Sequence, residues 1–217
     1  MSFLSQHGAV GTVALLRQGV AHSLKHHAML CLTALVHCTT PELGMAASNA
    51  GAGDAIASAM TKWPRDTTLL GLALCAAFHT GLFDATEAIL DATLACLERH
   101  GTTNQSLCQA GMRILRYHAM HFANMQMPRV ATALATAMCK YRQDDTIQYY
   151  GAHAWISLLS VEPEEVVRNH GQTAAFAINE RVIQVAAGVT YHAVQVGEQP
   201  WHHYVLTQLF PRLRSAA

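Results

Sequence analysis

Two stretches of the chain share one apolar and polar order. They are "ASAMTKWPRDTTL" (57–69) and "ATAMCKYRQDDTI" (135–147), with six of thirteen positions identical and the second offset from the first by 78 residues. In each, an apolar segment ends near Met60 or Met138, a polar link follows, then Asp66 or Asp144, and a second apolar segment starts at Leu69 or Ile147. Asp is a strong helix N-cap, because its carboxylate accepts the free amides of the first turn. The same order, a cap residue with an apolar residue three places on, recurs at Asn104/Leu107 and Asn179/Val182. The four caps are separated by 38, 40 and 35 residues, so 78 is two periods of a repeat.

After each cap, positions +3, +4, +7 and +8 from the first apolar residue are apolar or small. They are Leu72, Ala73, Ala76 and Ala77, then Ala110, Gly111, Ile114 and Leu115, then Tyr150, Gly151, Ala154 and Trp155, then Val185, Ala186, Val189 and Thr190. That is one stripe of a 3.6-residue helix. The segments before the caps are amphipathic too: Ile89, Leu90, Leu94 and Leu97 form one stripe, and Val130, Leu134, Ala137, Met138 and Tyr141 another. Shorter helices are expected in "PELGMAASNAGAG" (41–53) and "VEPEEVVRNHG" (161–171), where Pro suits a first helical position and Gly a stop. A looser first unit spans about 8–38, with Ser23 or His22 near its cap position. Nothing reads as a strand.

A short helix, a helix with a Gly-Ala start ("AGAGDAIASAM", 50–60), an Asp/Asn cap and a helix of small and apolar residues together resemble the armadillo repeat. "AMCKYRQDDTIQYYGAHAWISLL" (137–159) resembles it most, and "AGAGDAIASAMTKWPRDTTLLGLALCAAF" (50–78) next. The resemblance covers most of residues 8–195. It implies an all-α fold, a right-handed α-solenoid of about five repeats (1–40, 41–80, 81–120, 121–160 and 161–195), with 196–217 as a C-terminal capping helix. HEAT-type helical pairs are the alternative, and the short helix near 163–169 favours the three-helix unit.

The resemblance also implies a function: arrays of this family bind peptides or extended protein segments along a groove lined by their third helices. The position where family members carry a groove Asn falls here on His79, Tyr117, Ser157 and His192, with His37 as counterpart in the first unit. None is Asn, which argues against a sequence-independent backbone clamp. The second groove position holds Cys75, Arg113, His153 and Gly188. These positions lie off the buried stripe, so exposure on the third-helix face is expected. Histidines there can make binding depend on pH. Tyr149, large and amphipathic, groups with His153 and Ser157 as the expected centre of an interface. Trp155 falls on the stripe and is expected in the core.

Composition narrows the alternatives. Of the 217 residues, 51% are apolar and only 13% charged, against a usual charged share of about 25%. Such a chain has ample surface to bury, and its charge-poor exterior suits contact with a partner. The net charge is zero and no Lys/Arg run stands out, so no nucleic-acid partner is expected. No apolar run approaches the ~18 residues of a membrane span. The six cysteines form no CxxC pair and mostly sit beside Ala and Leu as small core residues. A reducing, cytoplasmic compartment is expected, with the nucleus left open.

Chemistry has little footing. His27/Cys31, His22/His26 and His118/His121 are pairs at helical spacing, but a zinc site needs three or four converging ligands and no HExxH is present. There is no GxSxG, and "NAGAGDA" (49–55) follows no strand and lacks a phosphate-loop Lys, so its glycines are expected to form a turn. The pairs Asp144/Asp145 and Glu164/Glu165 sit at helix starts, where acids complement the dipole. No enzymatic activity, metal or cofactor is expected. The resulting expectation is a protein-binding scaffold, with a structural piece of a larger assembly or of a longer array as the second reading. Both readings bear on the ends: the first unit is apolar at Val10, Val13, Leu15 and Leu16, and the last segment stays apolar through Leu209 and Phe210.

Overall fold

The computed structural model describes residues 6–81, 86–118 and 123–161, and every element among them is an α-helix. In order these are α1 (Gln6–Ala21), α2 (Lys25–Val36), α3 (Pro41–Asn49), α4 (Ala52–Lys62), α5 (Thr67–Gly81), α6 (Glu87–His100), α7 (Gln105–His118), α8 (Ala123–Lys140) and α9 (Asp145–Val161). The expected fifth repeat, with Asn179, Gly188 and His192, and the expected helix at 196–217 lie outside the described residues.

The repeated joint is real in three copies. Asp66 Oδ1 accepts from the Leu69 amide at 3.0 Å, Asn104 Oδ1 from Leu107 at 3.1 Å, and Asp144 Oδ1 from Ile147 at 2.9 Å. The backbone repeats with them. The cap amides donate back to Trp63 (3.2 Å), His100 (2.8 Å) and Tyr141 (3.0 Å), and the cap carbonyls accept from Leu70 (2.9 Å), Cys108 (3.0 Å) and Gln148 (3.0 Å). Each cap thus closes a turn behind it and opens a helix ahead, so one side chain fixes the angle between two helices.

The first unit departs from this. The N-cap of α2 is Leu24, with no side-chain hydrogen bond, rather than Ser23 or His22. The α1–α2 link is only residues 22–24, and Ser23 sits at a left-handed φ of 58° to close it. The Leu24 amide donates to Gly19 O at 2.7 Å, so the backbone of α1 takes over part of the role that a cap has elsewhere.

The short helix α3 forms as its sequence predicts. Pro41 occupies the first turn and the Thr40 side chain accepts from the Leu43 amide at 3.4 Å. Gly51, at φ 78° and ψ 43°, makes the left-handed turn into α4. A side chain there would be strained and would also meet Arg17 Nη2, which donates to Gly51 O at 3.3 Å.

The chain divides into two compact units, residues 1–114 and 115–217. In the first, α1 packs on α2, α3 and α4, and α4 packs on α6, while α2 packs on α5. Phe78 of α5 lies under Arg113 of α7, which continues the second row. First helices therefore follow first helices and second helices follow second helices, as in stacked helical pairs. Most of the stripes predicted from the sequence are core: Leu69, Ala73, Ala76, Ala77, Ile89, Leu90, Leu94, Leu107 and Ile114 are buried, while Leu72 and Ala110, at the +3 position, are only half-buried. Gly111 is where α7 approaches α6 closely, since a Cβ there would sit 2.7 Å from Leu97 Cδ2 and 2.9 Å from its Cγ.

In the second unit α8 packs on α9. Val130, Leu134, Ala137 and Met138 are buried on α8, and Ile147, Ala154, Trp155 and Leu158 on α9. Gln148 is fully buried as well; its Nε2 donates to Met138 O (2.9 Å) and Tyr141 O (3.0 Å), binding the end of α8 to the start of α9.

Candidate partner-binding face

In the first unit the predicted positions fall on three successive second helices. His37 closes α2 and is exposed, His79 lies on the last turns of α5, and Arg113 lies on α7, both half-buried. Cys75, one turn before His79, is exposed. The His79 ring meets Phe78 edge-on, with centroids 5.3 Å apart and planes at 79°. The Arg113 guanidinium stands 4.7 Å above the Phe78 ring, a cation–π contact that fixes the side chain beside His79.

His79 is held below its ordinary pKa of 6.5, first by burial and then by the positive charges of Arg113 and His37. The folded state therefore prefers the neutral ring. Because the unfolded chain takes up this proton at higher pH, the stability owed to His79 is complete above pH 6.5 and falls as the pH drops below it. His79→Gln is expected to flatten this part of the stability profile between pH 7 and 5, read from urea midpoints at each pH. A profile parallel to the wild type would contradict the assignment.

In the second unit Arg116 organises the site. Its guanidinium lies 5.1 Å from the Tyr117 ring centroid, 5.3 Å from Tyr149 and 5.8 Å from Tyr150. Its Nη1 donates to the Tyr149 hydroxyl at 3.5 Å. Tyr149 packs in turn on His153, one helical turn on, at 4.8 Å and 61°, and on Tyr150 at 5.2 Å. Tyr117 is exposed, and Tyr149 and His153 are half-buried. Ser157 follows one turn later on α9, with its side chain outside the described residues.

The structure therefore brings His37, His79 and Arg113 together, and Tyr117, Tyr149 and His153 together. The residues that join each group, Phe78 and Arg116, are missing from the sequence-based set. Arg116 directly precedes the predicted Tyr117, so its place in the repeat was the available signal. Rings with a guanidinium held among them offer flat apolar area with polar edges, the chemistry of interface anchors.

Among the described residues no three His, Cys, Asp or Glu side chains group to hold a metal. Cys31 and Cys38 are raised by burial, and Cys96 is pushed up to about 11, so these remain thiols. No described helix is long and apolar enough to cross a membrane. No family model, no curated protein and no solved structure matches the chain.

Proposed function

We propose that this protein is a non-enzymatic scaffold of armadillo type, a right-handed α-solenoid that binds an extended segment of another protein along its second-helix row. The observation that carries the reading is positional. Equivalent positions of successive second helices bear side chains that gather in space, each group around a guanidinium on an aromatic ring. Each group by itself offers rings and a guanidinium, which suit the anchoring side chains of a protein partner. The short helix α3 ahead of α4 supports the three-helix unit over a simple helical pair.

Arg116→Ala with Tyr149→Ala is expected to weaken partner capture by about 30-fold or more, the scale of an interface hot spot. Melting should move little, because both side chains are at least partly exposed. Undiminished capture by a folded double variant would refute the reading.

A second reading, a module inside a larger assembly, is favoured by one observation. Val10 and Leu15 of α1, Leu24 of the α1–α2 turn, Leu30 of α2 and Met45 of α3 are all exposed, Leu30 at 58%. Leu24→Glu with Leu30→Glu should abolish association under this reading and spare it under the first.

A further inference from the structure

A cavity of about 200 Å³ opens between the end of α4, the start of α5 and α6. Met60 and Leu70 form its buried floor, and Ala92 and Ala95 on α6 are too short to fill it. Its polar wall atoms are largely taken. Thr61 Oγ1 donates to Ala57 O at 2.9 Å, and Pro64 O is engaged by His100 Nε2 at 2.9 Å. The Cys96 thiol on the wall is protonated, which removes covalent capture. The exception is Arg99, whose guanidinium makes no hydrogen bond or ion pair among the described residues.

From this geometry we infer a binding site for a small monocarboxylic acid, its six-to-eight-carbon body in the cavity and its carboxylate on Arg99. The size follows from the volume, since a closed apolar cavity of about 150 Å³ admits benzene. The charge follows from the donor set. A guanidinium at the rim of an apolar cleft matches a carboxylate at the end of an apolar body, and a neutral solute leaves it unanswered. The site is independent of the proposed partner-binding row: its walls belong to α4, the start of α5 and α6, none of which carries a residue of that row there.

The test is a titration of the intact chain with hexanoate, with 1-hexanol and with an acetylated Leu-Glu dipeptide, following the Met60 methyl resonance by NMR. Hexanoate should shift it saturably, at least five-fold more tightly than hexanol. Arg99→Gln should erase that difference while hexanol binding stays the same, and Ala95→Leu, at an exposed position on the rim, should abolish both. A hexanoate response that is absent, or equal to that of hexanol and insensitive to Arg99→Gln, overturns the assignment. A saturable shift from the dipeptide alone also overturns it, and would give the cavity to a side chain of a protein partner.

Discussion

Trp155→Ala is expected to lower the stability of the unit carrying α9 by about 3–5 kcal/mol, the range for removing a large aromatic from a core. Trp155 is the largest side chain among the described residues with no exposure at all. Its neighbours on α8 and α9 are helical and locked by backbone hydrogen bonds, so they close only partly over the void. A second substitution separates volume from polarity. The indole Nε1 is buried with no hydrogen-bond partner among the described residues, a standing cost of about 1–3 kcal/mol. Trp155→Phe keeps most of the volume and discards that donor, so it should cost less than about 1.5 kcal/mol. Urea unfolding followed by far-ultraviolet circular dichroism reads both. Equal losses in the two variants would mean that the indole nitrogen is satisfied and shape alone matters little.

Removing two caps from the first unit is the second large effect. Asp66→Ala and Asn104→Ala should each cost about 1 kcal/mol, with the double variant near 2 kcal/mol. Additivity follows because each carboxylate or amide serves its own helix and they share no partner. Ser23→Ala, at a joint that has no side-chain cap, should stay within about 0.5 kcal/mol. Asp66 also meets Lys25 Nζ at 2.9 Å, but the lysine is half exposed and this pair is worth little. The Asp66 carboxyl is held below 3.8, first by the Leu69 amide and then by Lys25. Its contribution is therefore complete above that pH and lost as the pH falls through the folded value.

The joints were legible in the sequence because they are local. An Asp or Asn three residues before an apolar position specifies its own hydrogen bond, and Asp66, Asn104 and Asp144 all make it. The stripes were legible for the same reason, since helical period decides which face is buried before any partner is known. Trp155 and Met60 followed from that period. Gln148 did not: it occupies the stripe position held by Leu70 and Cys108, and only the carbonyls left open at the end of α8 explain a polar side chain there. The missing cap of α2 was hidden as well, because it depends on how short the preceding link is. Phe78 and Arg116 escaped because contacts between helices, rather than spacing within one, give them their place. The distance of His79 from the stripe predicts exposure, whereas the residue is half-buried, with Phe78 and Arg113 beside it.

The proposed binding role can be tested by carbethoxylation of histidines in the isolated protein and in its captured complex. Modification of His37, His79 and His153 is expected to slow in the complex, while His22, His26 and His27, near the start of α2, react at unchanged rates. Protection of His22, His26 and His27 with His37, His79 and His153 left reactive would contradict it.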